Sequence, residues 1–246
     1  IAKGFVASLT LGTGQFCVNP GLVIAVDGPE LQEFITAVQA ELGAVGAGVM
    51  LNERICHSYS NGVNHFKQVP GVDVLAQGQA VSDAAGFRAQ AYLLGTSGQN
   101  FVAQPDIHEE VFGPASMLVK CKSIDEIPQS LSVLGGQLTG TVHGTESELA
   151  QHAEIIDALT VKAGRLVING FPTGVEVCPS MVHGGPFPAS SDMRFTAVGT
   201  AAIQRFQRPV CYQNFPDALL PDALKNSNPL KLKRLVNGAP SDAALT

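Results

Sequence analysis

The chain has 246 residues, 45% hydrophobic and 15% charged, enough for one or two domains of about 150 residues and too apolar for a disordered chain. Fifteen Lys and Arg against 21 Asp and Glu leave a net charge of -6, which disfavours nucleic acid and anionic membranes as partners. No apolar run approaches the roughly 18 residues of a membrane span and no charged-then-apolar leader opens the sequence, so a soluble, cytoplasmic protein is expected.

Ala2 to Leu11 carries apolar side chains and good helix formers, and it ends in Gly12-Thr13-Gly14. After Cys17 and the Pro20-Gly21 turn, Leu22 to Val26 reads as a short buried strand. Asp27-Gly28-Pro29-Glu30 opens a helix, since proline loses nothing by lacking an N–H in a first turn. Its apolar face is Leu31, Phe34, Ile35, Val38 and Leu42. Between Gly43 and Gly98 the pattern predicts one helix, Asn52 to Tyr59, then polar loops and a strand at Tyr92 to Gly95. Met117 to Val119 is the next strand, followed by a helix capped by Asp125 with Pro128 in its first turn. Leu138 to Val142 is another strand. Thr145-Glu146-Ser147-Glu148 is a capping box opening a helix with Leu149, Ala153, Ile156 and Leu159 on one side and Gly164 as its stop. Leu166 to Ile168 is the last strand of this unit.

Strands alternating with helices across short turns predict an α/β fold with a parallel sheet covered by helices on both faces. Residues 1–200 form the expected catalytic domain. Residues 201–246 are expected to be an extended oligomerisation segment and tail, with Ile203, Phe206, Val210 and Tyr212 pairing on another sheet edge or subunit. Lys225, Lys231, Lys233 and Arg234, the one concentration of positive charge, read as solvated tail. The chain starts at Ile1, inside a helical pattern, and so reads as part of a longer protein.

Five widely spread cysteines with no CxxC pair argue against a disulfide framework or a zinc ribbon and fit a reducing compartment. Cys17 lies in Gly14-Gln15-Phe16-Cys17-Val18-Asn19-Pro20-Gly21. Flanking glycines let backbone N–H groups approach a ligand, as a nucleophilic thiolate attacking a carbonyl requires. Free cysteine is, however, most often a small buried hydrophobe. His108-Glu109-Glu110-Val111-Phe112-Gly113-Pro114 could hydrogen-bond a ribose and pack on a ring, or be a solvated acidic turn; its spacing is not that of a metal site. His183, in Met181-Val182-His183-Gly184-Gly185-Pro186-Phe187-Pro188 beyond the last strand, could carry protons near pH 7 or cap a carbonyl in a tight loop. No GxGxxG, P-loop or GxSxG is present.

Taken in order, these segments resemble the aldehyde dehydrogenase superfamily. Gly14-Gln15-Phe16-Cys17 is similar to its nucleophile motif, Glu110-Val111-Phe112-Gly113-Pro114 to its cofactor-contacting motif, and Arg165-Leu166-Val167-Ile168-Asn169-Gly170 continues the likeness. Gly170-Phe171-Pro172-Thr173-Gly174-Val175-Glu176-Val177, the Val182 to Pro188 loop and Arg208-Pro209-Val210-Cys211-Tyr212-Gln213 narrow it to α-ketoglutaric semialdehyde (2,5-dioxovalerate) dehydrogenases. Fatty aldehyde dehydrogenases of luminous bacteria are the alternative. His183-Gly184-Gly185-Pro186 stands where the broader family has a glycine-lysine stretch.

The resemblance implies a Cys17 nucleophile, Glu110 on the nicotinamide ribose, Phe112 beside the nicotinamide, His183 assisting hydrolysis, NAD or NADP as cofactor, and no metal. It implies 2,5-dioxopentanoate as the substrate, oxidised to 2-oxoglutarate through a cysteine thioester. The cofactor-binding domain, general-base glutamate and oxyanion asparagine of the family would precede Ile1. Arg54 and Arg194 are candidates to grip a substrate carboxylate. Two further readings stand beside this one: a non-catalytic folding or oligomerisation module, and a cofactor-independent thiol hydrolase with His183 as base.

Overall fold

A computed structural model describes residues 1–81 and 86–245; part of the expected polar loops, residues 82–85, and the last residue of the expected tail lie outside the described residues. The chain divides into two compact units, Ile1–Arg205 and Phe206–Thr246.

In the first unit, α1 (Ala2–Thr10) leads through a 3-10 turn, Leu11–Gly14, to β1 (Leu22–Val26). Helix α2 (Pro29–Gly43) starts on Gly28 and buries Leu31, Ile35, Val38 and Leu42, four of the five positions its periodicity predicts. Strand β2 (Gly48–Val49) precedes α3 (Glu53–Gln68), which Asn52 caps by accepting the Ile55 N–H. Then come β3 (Asp73–Gln77), β4 (Arg88–Ala89), β5 (Tyr92–Ser97), α4 (Gly98–Ala103), β6 (Ala115–Cys121), α5 (Glu126–Ser132) and β7 (Gln137–Val142). Helices α6 (Glu146–Gln151) and α7 (Ala153–Thr160) and strand β8 (Ala163–Ile168) complete the run.

The principal sheet has the order β1-β6-β5-β3, with β1, β6 and β5 parallel and β3 antiparallel at the edge. Side chains alternate across a strand, and the core follows that alternation. Leu93 and Leu118 face α1 and α2 with Phe5, Leu9 and Val38. Leu94, Met117 and Val119 face the opposite layer with Phe66, Phe101 and Leu131. Helices therefore cover both faces, and each fully buried Leu contributes about 1.5–3 kcal/mol.

Several expectations need correction. Strands β7 and β8 pair in parallel with each other, as a separate two-stranded sheet rather than an extension of the main one; an apolar run defines a strand but carries no information on its partner. The Thr145–Glu148 capping box is present, yet the helix it opens breaks at His152 (φ -119°, ψ 41°). Ile155, not Ile156, is therefore the buried residue of α7. Asp125 makes no side-chain cap to α5; the Glu126 carboxylate instead accepts the Lys122 N–H at 2.8 Å. Gly164 is inside β8 and does not stop the helix.

Thr200–Phe206 is a 3-10 helix where extended chain was expected. In the second unit, a turn at Asp217–Leu219 precedes the antiparallel hairpin β9 (Arg234–Val236) and β10 (Ala239–Ser241). The basic residues there include a structural clasp: Arg234 donates to the carbonyls of Lys225 at 2.7 Å and Asn226 at 3.1 Å. Buried Asn228 ties Leu232 and Asp242 together through its side-chain amide. No described helix is long and apolar enough to cross a membrane.

Candidate active site

The turn after α1 presents Cys17. Gly12, Thr13 and Gly14 all take left-handed backbone, with φ of 56°, 58° and 66°, a region that glycine enters freely and threonine does not. The Thr13 hydroxyl donates to the Val49 carbonyl at 3.0 Å, which holds the unfavourable residue in place. Gln15 braces the turn from both sides: its amide donates to the Gly12 carbonyl at 2.9 Å, and its side-chain oxygen accepts the Leu51 N–H at 2.9 Å. The Cys17 side chain is left exposed, so the buried-hydrophobe alternative does not hold. Among the described residues the Cys17 N–H has no acceptor.

This turn rests directly on the second sequence motif. A side chain at Gly14 would run into the Gly113 carbonyl and the Pro114 nitrogen. Two residues past Cys17, Asn19 donates from Nδ2 to the Gly113 carbonyl at 2.9 Å. Gly113 in turn lies against the Tyr59 ring, at φ 151°. Thus residues 14–19 and 110–114, nearly a hundred positions apart, are locked backbone to backbone. Glu110 and Phe112 project from that support, Phe112 with 40% of its surface exposed. The Glu110 residue is exposed overall, but protein packed around its carboxyl pushes the pKa up. Neither side chain makes a hydrogen bond or an ion pair among the described residues.

His183 arrives from the loop after β8. Its Nε2 lies 3.2 Å from Cys17 Sγ, and the residue is only 9% exposed. Glycines bring the loop down onto the β7–β8 pair: Gly164 of β8 touches Gly184, Gly185 touches the Gln137 carbonyl, and the Gly136 N–H donates to the Phe187 carbonyl at 3.0 Å. Thr196 fastens the other side. Its hydroxyl accepts the His183 N–H at 2.9 Å, while the His183 carbonyl accepts the Ala197 N–H at 2.8 Å. Burial and the nearby Arg165 charge lower the His183 pKa, so the ring is neutral at physiological pH and can accept a proton at Nε2.

Of the two arginine candidates, Arg54 is exposed on α3 and Arg194 is committed to its own neighbour. It donates to Asp192 at 2.9 and 2.7 Å, and these bonds hold the Asp192 carboxyl down to about 2. Arg165, Asn19 and Thr196 are site residues that sequence reasoning passed over. Only Arg165 carried a legible signal, a cation among the apolar residues of a strand. All five cysteines are free, and no group of three or more His, Cys, Asp or Glu among the described residues could hold a metal.

No protein-family model matches the chain. It is 49% identical over 238 residues to alpha-ketoglutaric semialdehyde dehydrogenase 2 of Azospirillum brasilense, covering 97% of this chain and 45% of that protein. With the alpha-ketoglutaric semialdehyde dehydrogenase of Acinetobacter baylyi it shares 44% over 239 residues, with the same coverages. Across 97% of its length the chain is therefore similar to aldehyde dehydrogenases. It spans about 45% of the length of these curated relatives. Solved structures agree on the aldehyde dehydrogenase fold. Lactaldehyde dehydrogenase from Escherichia coli superposes with a TM-score of 0.66 at 21% identity, over 86% of this chain and 44% of that one. PnpE in complex with nicotinamide adenine dinucleotide gives 0.68 at 19% identity, over 84% and 42%.

Proposed function

We propose that this chain supplies the nucleophile of an NAD(P)-dependent aldehyde dehydrogenase that oxidises 2,5-dioxopentanoate to 2-oxoglutarate. The observation that carries the reading is the exposed Cys17 Sγ lying 3.2 Å from the neutral, buried His183 Nε2. The substrate rests on the names of the two relatives, and the cofactor-binding portion is a further part of the same enzyme.

His183 takes the thiol proton at Nε2 as Sγ forms a bond to the aldehyde carbon. The carbonyl electron pair moves to oxygen, and the Cys17 N–H, which has no acceptor among the described residues, stabilises the resulting oxyanion. Glu110 and Phe112 fit a nicotinamide riboside: a carboxylate with no hydrogen bond or ion pair among the described residues for the ribose hydroxyls, and an exposed ring for the base. The nicotinamide held there would supply the hydride acceptor needed to oxidise the thiohemiacetal on Cys17 to a thioester. His183 first gives the thiol proton to solvent; its freed Nε2 then takes a proton from water as the water oxygen attacks the acyl carbon, and that proton passes to Sγ as the acid leaves. Exposed apolar side chains in the second unit, Val210, Leu219 and Leu235, support a homo-oligomer.

The test is aldehyde-dependent NAD(P)H absorbance from this chain joined to its cofactor-binding portion. Cys17→Ala abolishes it under this reading; activity that survives the substitution refutes the role of Cys17. The thiol-hydrolase reading draws on the same Cys17–His183 contact and is separated by assaying the chain with an activated ester and no nicotinamide. Turnover there that equals the rate of aldehyde oxidation would favour the hydrolase.

A further inference from the structure

We propose that Thr196 is a positioning residue that aims the His183 ring at Cys17 by holding the main chain of the histidine. This role presupposes the pairing of Cys17 with His183, but not the identity of the substrate. A histidine beside its nucleophile is usually oriented by a third group that accepts its second ring N–H. His183 has no such group: Nε2 lies 3.2 Å from Cys17 Sγ, and Nδ1 is buried with no hydrogen-bond partner. Nor does a regular element carry the ring, because residues 169–199 contain neither helix nor strand. The aim of the ring is therefore set by the main chain beneath it.

That main chain is clasped by the returning segment, residues 195–199, in antiparallel order. An added Cβ at Gly184 would lie 3.2 Å from the Phe195 carbonyl oxygen, and one at Gly199 would lie 3.1 Å from the Cys178 carbonyl and 3.5 Å from the Met181 carbonyl. His183 sits between these contacts. Its N–H donates to the Thr196 hydroxyl oxygen at 2.9 Å, and its carbonyl accepts the Ala197 N–H at 2.8 Å. The Thr196 hydroxyl is fully used: it donates to the Val198 carbonyl at 2.7 Å, and it also accepts the Val198 N–H at 3.2 Å. A side chain only 8% exposed thus joins His183 to the segment that returns past it. Of the two bonds to the His183 main chain, this is the one a side chain supplies, so a substitution can remove it. Without the hydroxyl a buried N–H has no acceptor, and the loop shifts to satisfy it. A shift of about 1 Å at the ring is enough to break the 3.2 Å contact with Sγ.

The test is the rate at which iodoacetamide alkylates Cys17 at pH 7 in the complete enzyme, read by mass on the Cys17 peptide with no aldehyde or nicotinamide present. His183→Asn keeps the backbone N–H but removes the ring, and slows alkylation about 10-fold or more. Thr196→Val keeps the shape but removes the oxygen, and gives a loss of similar size; Thr196→Ser restores the hydroxyl and the rate. Thr196→Ala is read in the same way as Thr196→Val, so that a folding defect in one replacement does not decide the result. In the His183→Asn background Thr196→Val has no further effect, because no ring is left to aim. A general structural role would give the same loss in both backgrounds, and that additive result overturns the proposal. So does a wild-type rate in Thr196→Val, or a Thr196→Ser protein as slow as Thr196→Val. A wild-type rate in His183→Asn overturns the Cys17–His183 pair itself, whereas loss of the Thr196 effect alone leaves the pair and the dehydrogenase reading standing.

Discussion

Replacing Gly14 by alanine perturbs the backbone contact between the Cys17 turn and the Glu110–Pro114 segment. Two effects add. The backbone at φ 66° is left-handed, which costs an L residue about 1–2 kcal/mol. The new methyl group also meets the Gly113 carbonyl and the Pro114 nitrogen, backbone atoms that cannot rotate away, for about 1–3 kcal/mol of overpacking. The sum is a loss of about 2–5 kcal/mol, read from the urea midpoint at constant slope. Alkylation of Cys17 by iodoacetamide changes with it, because the turn must shift to relieve the overlap. Gly43→Ala is the control: it ends α2 with no atom within 4 Å of an added Cβ, and alanine is favoured there by up to about 1 kcal/mol. A Gly14→Ala protein within about 0.5 kcal/mol of wild type, with Cys17 reacting at its normal rate, would refute the backbone lock.

Two further outcomes follow from named contacts. Glu148 accepts the Thr145 N–H and hydroxyl at 2.8 and 2.7 Å; the backbone bond first and then the hydroxyl lower its pKa. The folded value lies below the unfolded one, so this contribution is present at neutral pH and is lost as pH falls through the folded value. Thr145→Ala lowers stability at pH 7, with the difference from wild type shrinking in acid; a difference that grows in acid contradicts the capping box. Glu110→Gln, in the complete enzyme, raises the KM for NAD(P)+ by about 10- to 100-fold, as loss of a hydrogen bond to a charged acceptor implies, with the urea midpoint unchanged. An unchanged KM removes Glu110 from the cofactor site.

The parts legible in the sequence are those set by local physics. The α2 face, the β1 run and the Thr145–Glu148 box each follow from a period or from a pair of side chains three apart, and the structure shows all three, except that β1 is an edge strand, half-buried with Val26 exposed, and not the buried strand expected. Short β3 was missed because Asp73 and Gln77 bracket three apolar residues and a register shift interrupts its pairing between Val74 and Ala76. Partner choice is non-local, which is why β7 and β8 were assigned to the wrong sheet. The same division runs through the site. Cys17 and His183 were visible through glycine-rich surroundings that permit close backbone approach. Their 3.2 Å contact spans 166 positions and arises from Gly164 meeting Gly184, which no local pattern encodes. Arg165 was read only as part of a strand motif, although a half-buried cation in an apolar strand needs a reason to be there.

Acylation of Cys17 during turnover is the claim on which the rest stands. The direct measurement is to quench the complete enzyme while it oxidises 2,5-dioxopentanoate and to weigh the peptide containing Cys17. A mass increase matching one 2-oxoglutaryl group on that residue, and its absence in Cys17→Ala, is the expected result. A turning-over enzyme whose Cys17 peptide is never modified, or whose adduct sits on another cysteine, contradicts the account.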